Sequence, residues 1–91
     1  MDELSVKTQQ MFDEFSKQIF ADGALSEKMK AIIAVAVVHV TQSPGCTDTH
    51  VWLALQLGAT QEELIEAAWV AAAMRAGAAF THMRSMFPKL R

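Results

Sequence analysis

The residues of this chain with the clearest chemical potential are its single cysteine, Cys46, and His50, four positions later. Both follow a Pro-Gly turn, and the sequence predicts that a helix begins near Cys46. Residues four apart share one helix face, so the sulfur and the imidazole are expected to meet. The free N–H groups at the helix start and the histidine would favour the thiolate, the reactive form of cysteine. The spacing therefore indicates thiol redox chemistry.

The same residues also have a purely structural interpretation. A free cysteine is usually buried and behaves as a small hydrophobic residue. A metal site formed by Cys46, His50 and His39 is a weaker alternative, because one thiolate without a Cys-x-x-Cys pair is not a typical zinc ligand set. Nothing in the sequence indicates a cofactor.

Helical periodicity runs through the first half of the chain. The first predicted helix has apolar residues at steps of three and four up to Phe20, and it ends at residues 21–23. The second begins near Ser26 and stops before the Ser-Pro-Gly turn at residues 43–45. A proline disfavours helical geometry at the residue before it, which explains this stop.

Two further helices are predicted in the second half. The third runs from about the cysteine to Leu57 and closes at Gly58, a common residue just beyond a helix end. The fourth begins after Thr60, which forms a capping box with Glu63, and extends toward His82. No alternating strand pattern is present. The sequence therefore predicts one all-α domain over residues 1–91.

Composition limits the partners and predicts self-association. The 91 residues are 52% hydrophobic, more than one small globule can bury, and alanine and glycine dominate residues 67–78. Contact between copies in a homo-oligomer is the simplest way to bury the excess apolar surface. The net charge of −2 without a basic stripe argues against nucleic acid. The longest apolar stretches are shorter than a bilayer span requires, and acidic residues follow Met1 directly. A single cysteine suits a reducing compartment. Together these features predict a cytoplasmic protein without a membrane partner.

Several segments together are similar to one protein family. They are Pro44 to His50, Ala54-Leu55-x-x-Gly58-Ala59-Thr60, Glu62-Glu63-Leu64-Ile65-Glu66-Ala67, and residues 69–78. Over about residues 25–82 the chain resembles the carboxymuconolactone decarboxylase / alkylhydroperoxidase D family. The resemblance implies an oligomeric helical bundle of the alkylhydroperoxidase D type. It also implies a dimer-based assembly, such as a hexameric trimer of dimers.

The resemblance also assigns roles at the motif, with two departures. Redox members of the family carry Cys-x-x-Cys-x-x-x-His and a glutamate twelve residues before the first cysteine. The second cysteine, which meets peroxide, falls on Cys46, and the histidine falls on His50. The first, resolving cysteine falls on Ser43, and the glutamate falls on Ala31. Cys46 would then be the nucleophile, held and protonated by His50, with Ser43 left as a hydrogen-bonding residue.

Two side chains are candidates to replace the missing carboxylate. Glu27 lies four residues before Ala31 and would share its helix face. His39 lies four residues before Ser43, so it is a second candidate to approach the same pocket.

Three functions follow from this pattern. The first is a one-cysteine peroxidase or thiol oxidoreductase that needs an external thiol reductant, because the chain has no second cysteine. The second is a non-catalytic oligomeric scaffold, or a binder of an apolar small molecule in a pocket lined by Trp52, Trp69 and Met74. The third is a decarboxylase acting on a lactone, for which no matching acid-base set is present.

Overall fold

The computed structural model describes residues 2–42 and 45–90, and this part of the chain is helical without strands. The elements are α1 (Glu3–Phe20), α2 (Glu27–Thr41), α3 (Cys46–Gln56), α4 (Gln61–Arg84) and a short 3-10 helix (Phe87–Lys89). The predicted all-α fold is confirmed. The fourth helix extends two residues beyond His82, the end expected from the sequence pattern.

Short polar side chains start three of the helices. Asp2 caps α1, and the Ser26 hydroxyl accepts a hydrogen bond from the Met29 N–H at 3.1 Å at the start of α2. At α4 the predicted capping box is complete. The Thr60 hydroxyl accepts from the Glu63 N–H at 3.1 Å, and the Glu63 carboxylate accepts from the Thr60 N–H at 2.9 Å.

The turn between α3 and α4 depends on Gly58. This residue has a φ of 96°, in the left-handed region that favours glycine. The N–H of Ala59 donates to the Ala54 carbonyl at 3.0 Å, and the Gly58 N–H donates to the Leu55 carbonyl at 3.1 Å. These two bonds form a Schellman motif, which satisfies the last carbonyls of α3 and turns the chain into α4.

The core is small and lies where α2 packs against α3 and α4. Its central cluster consists of Ala31, Val35, Ala54, Ala59 and Leu64. Val35 is the largest of the fully buried side chains. Most of the larger apolar side chains therefore lie at the surface of the single chain.

Two cationic side chains tie neighbouring helices together at helix ends. Lys30 of α2 donates through Nζ to the carbonyls of Ile19 at 2.9 Å and Ala21 at 2.7 Å, at the end of α1. Arg75 of α4 donates through Nη1 to the Val40 carbonyl at 2.7 Å, near the end of α2. Both place positive charge at the negative end of a helix dipole, which is stabilising.

The helical stretch 61–89 is apolar on most of its surface. By length and composition alone it could cross a membrane, yet only 11% of its most apolar window is buried within the single chain. A helix that packs against other protein has the same properties, so the stretch alone does not indicate a membrane.

The capping box makes stability depend on pH. The hydrogen bond from the Thr60 backbone lowers the pKa of Glu63, with a further contribution from Lys28 at 3.3 Å. A lowered pKa stabilises the fold above the carboxyl's unfolded-state pKa, and this stabilisation is lost as pH falls through the folded-state pKa. We expect Glu63→Gln to lower the melting temperature at pH 7 and to have less effect at pH 3.

Thermal melts at one protein concentration test this expectation, with Glu62→Gln as the matched control. Glu62 lies in the same first turn but outside the capping box. Equal effects of the two substitutions at both pH values would contradict it.

Candidate functional site

The predicted start of α3 at the cysteine is confirmed. Gly45 precedes the helix with a φ of 81°, and it offers no side-chain cap. Cys46 is therefore the first residue of α3, where N–H groups are not yet paired within the helix. The Thr49 hydroxyl donates to the Gly45 carbonyl at 3.5 Å.

Cys46 and His50 open onto the same surface feature, which we call the Cys46 groove. This groove has a volume of about 810 Å³ and lies between α1, α2 and the first turn of α3. Its lining is mostly apolar and consists of Phe12, Ser16, Ile19, Phe20, Lys30, Ile33, Ala34, Val37, Val38, Cys46 and His50. The cysteine is half-buried and unbonded to any other sulfur. Both side chains thus line one groove, and the direct meeting of the sulfur and the imidazole stays a prediction.

His50 is held by packing rather than by hydrogen bonds. Its ring stacks on Phe20 of α1 with centroids 6.4 Å apart and an interplanar angle of 25°. Its Nδ1 atom is buried and has no hydrogen-bond partner among the described residues. A histidine of a catalytic pair usually has its second nitrogen oriented by another group. Residues 2–42 and 45–90 supply no such orienting group.

The position that the resemblance aligns with the family's glutamate is buried in the core between α2 and α3. Ala31 is 1% exposed and belongs to the core cluster, as does Ala54, one turn after His50 on α3. Val51, the next residue after the histidine, packs against the same cluster. A carboxylate at position 31 would therefore enter the layer between α2 and α3.

The two proposed substitutes for that carboxylate do not line the groove. Glu27 is exposed in the first turn of α2, one turn before the buried Ala31. His39 turns back on its own helix, with Nδ1 2.7 Å from the Val35 carbonyl oxygen. Ser43 lies outside the described residues.

The apolar pocket expected from Trp52, Trp69 and Met74 is not formed among the described residues. Trp52 is 62% exposed and Trp69 71% exposed, so both rings stand at the surface. Met74 lines a separate depression with Arg75, Val40, Ala78, Ala79 and His82. Among the described residues, no group of three or more His, Cys, Asp and Glu side chains is placed to hold a metal ion.

Sequence reasoning missed the contribution of α1 to the site. Phe12 and Phe20 of α1 form part of the groove wall. Lys30 of α2, which also lines the groove, is hydrogen-bonded to the end of α1. The only sequence signal was that Phe20 continues the apolar face of α1, which any core-facing residue would do.

The fold and groove define an all-helical protein with a cysteine and a histidine on the first turns of one helix. The sequence pattern of the Carboxymuconolactone decarboxylase family matches residues 7–87. The chain belongs to this family.

Two proteins are similar to this chain. The chain is 58% identical over 71 residues to "Uncharacterized protein 4 in cox locus" from Paracoccus denitrificans. The match covers 78% of this chain and 64% of that protein, so this chain spans less than two thirds of the relative's length. A crystal structure of a protein from Methanobacterium thermoautotrophicum is similar with a TM-score of 0.82 and 36% identity, covering 89% of this chain and 91% of that one.

Proposed function

We propose that the protein is a one-cysteine thiol oxidoreductase of the alkylhydroperoxidase D type, with Cys46 as its nucleophile. The observation that carries this proposal is the placement of Cys46 and His50 on one mostly apolar groove, at the start of α3. A thiolate beside a helix start and an imidazole is a typical activated nucleophile. Family membership supports the same chemistry without specifying it.

The reaction balances with a hydroperoxide as oxidant. The Cys46 thiolate attacks the outer peroxide oxygen, the O–O bond breaks, and the sulfur becomes a sulfenic acid. The leaving alkoxide takes one proton and departs as an alcohol. His50 supplies that proton in our proposal through Nε2, because its Nδ1 is buried.

Recycling requires a thiol from outside the chain. Cys46 is the single cysteine of the sequence, so its sulfenic acid has no resolving partner within one chain. An external thiol would condense with the sulfenic acid, releasing water and forming a mixed disulfide. A second thiol would then release Cys46 and leave as the oxidised disulfide.

Intact-mass spectrometry after one equivalent of cumene hydroperoxide tests this function. We expect one dimedone adduct per chain in the wild type and none in Cys46→Ser. We expect His50→Gln to slow adduct formation roughly 100-fold, since general acid–base catalysis is commonly of that size. His82→Gln is the control, because that histidine lies outside the Cys46 groove.

Other results would overturn the proposal. A thiol that reacts only after unfolding would make Cys46 a packing residue, and the protein a scaffold or binder without peroxide chemistry. Equal oxidation rates in wild type, His50→Gln and a small free thiol would remove the role of the imidazole.

We also propose that the protein works as a homo-oligomer. The isolated chain has a radius of gyration of 17.6 Å, whereas about 12 Å is usual for a compact domain of this length. Its accessible surface of 7350 Å² exceeds the roughly 5,200 Å² of a compact monomer of this mass. This excess of accessible surface area is of the size that obligate protein–protein interfaces bury.

One face of α4 is the best candidate for the contact between copies. Leu64 and Ala71 on its inner face are buried. On another face, Ile65, Trp69, Phe80 and Met83 are exposed by 57%, 71%, 60% and 42%. Their spacing places these four large side chains in one stripe with alanines between them. We call them the α4 stripe. A helix that is apolar on all sides is normally buried on all sides.

A further inference from the structure

Among the described residues that line the Cys46 groove, Lys30 is the single lysine, arginine or carboxylate side chain in a mostly apolar wall. Phe12, Ile33 and Val37 form apolar wall on either side, and no aspartate or glutamate is among these lining residues. Sites for small molecules are commonly of this kind, with hydrophobic walls, a few polar groups and volumes of about 300–1,000 Å³. The volume of about 810 Å³ lies within that range.

Within the described part of the chain, the charge of Lys30 is not neutralised by a carboxylate. Its ammonium group has three donors, and two of them bind the carbonyls of Ile19 and Ala21. The ion pairs in residues 2–42 and 45–90 are formed by other lysines, Lys7 with Glu3 and Lys28 with Glu63. The end of α1 offsets about half a unit of charge, which leaves a net positive charge and one free donor.

A second positive element opens onto the same groove. The first turn of α3 begins at Cys46, which lines the groove, and Gly45 provides no side chain to cap it. The positive end of the α3 dipole and the Lys30 ammonium therefore act on one apolar volume. An anion with an apolar body would pair with the positive charge and pack against the apolar side chains. A neutral or cationic apolar ligand would only pack against the apolar side chains.

We propose that the Cys46 groove binds an aliphatic monocarboxylate. Its carboxylate accepts a hydrogen bond from the third N–H of Lys30, and its chain lies against Phe12, Ile33 and Val37. This binding needs no oxidation of Cys46, so it stands or falls separately from the proposed peroxide chemistry.

Isothermal titration of the wild-type protein in its solution assembly tests the proposal. We expect octanoate to bind up to about five-fold more tightly than 1-octanol, because partly exposed ion pairs are worth up to about that factor. Octylammonium should bind more weakly than either. Decanoate should bind more tightly than octanoate, by up to about four-fold for each added methylene.

Three lysine variants identify the charge responsible. Lys30→Met should bind octanoate and 1-octanol equally, and Lys30→Arg should keep the preference for the acid. Lys28→Met is the matched control on the same helix and should behave as wild type. Retained binding of 1-octanol by Lys30→Met would show that the groove persists without the lysine.

Several outcomes would overturn the proposal. Equal affinity of the wild type for octanoate and 1-octanol would remove the role of charge. An unchanged preference in Lys30→Met would place the anion elsewhere. Absence of binding at millimolar ligand would indicate that another copy of the chain fills the groove, and the groove would then be an interface.

Discussion

Replacing both Trp69 and Phe80 with glutamate is expected to dissociate the protein into smaller species at micromolar concentration. Both aromatic rings belong to the exposed α4 stripe. Burying a large apolar side chain is worth about 1.5–3 kcal/mol, so losing two of them weakens association roughly a hundred-fold or more. A glutamate in the contact adds the cost of desolvating an unpaired charge.

Sedimentation velocity over a range of protein concentrations measures this effect. Thr81→Glu is the control, because it introduces one glutamate on the same helix but on another face. We expect that control to keep the wild-type mass. Far-UV circular dichroism should show that each variant remains helical before its mass is interpreted.

Two results would contradict the expectation. A wild-type protein that is a stable monomer at micromolar concentration would leave the exposed surface without a partner copy. A double variant of unchanged mass would place the contact on another surface, of which the apolar side of α1 is the next candidate. Leu4, Met11 and Phe15 are exposed there by 75%, 73% and 61%.

The parts of the fold that were predicted well from the sequence are the helix ends, which depend on interactions between residues close in the chain. Ser26 and Thr60 start helices because their hydroxyls bind N–H groups three residues ahead. Gly58 ends α3 because it adopts a left-handed conformation at no steric cost. The beginning of α3 at Cys46 was likewise predicted from local sequence, the Pro-Gly pair that comes just before it.

The parts that sequence could not predict depend on contacts between distant helices. The stacking of Phe20 on His50 joins residues thirty positions apart, and it depends on how α1 returns toward α3. Lys30 looks like an ordinary surface lysine until its contacts with the end of α1 are known.

The buried face of helix α4 also could not be predicted from the sequence. Leu64 is buried and its neighbour Ile65 is 57% exposed, although both are large aliphatic residues. A helix that is apolar on every face gives no periodic signal to separate them. The faces are distinguished only by what α2 covers.

Introducing glutamate at position 31 is expected to destabilise the protein strongly, and His50 should reduce the cost. Ala31 is 1% exposed in the core cluster, so the new carboxylate is buried and costs about 3 kcal/mol or more if unpaired. That is a large part of the stability of a typical domain. The buried Nδ1 of His50 lacks a partner among the described residues. We expect it to donate to the new carboxylate in the layer between α2 and α3.

A double-mutant cycle of Ala31→Glu with His50→Phe separates these two effects. Phenylalanine keeps a flat ring to stack on Phe20 but removes the donor. We expect urea unfolding to show a coupling of about 1 kcal/mol or more between residues 31 and 50, since residues sharing a hydrogen bond are non-additive. Ala31→Gln, of the same shape but neutral, should show less coupling. Additive effects of the two substitutions would show that the carboxylate does not reach the imidazole.

If coupling is found, Cys46 in Ala31→Glu should also react faster with cumene hydroperoxide than in wild type. A carboxylate bound to Nδ1 would orient the His50 ring so that Nε2 faces the groove. Alanine at position 31 cannot orient the ring in this way.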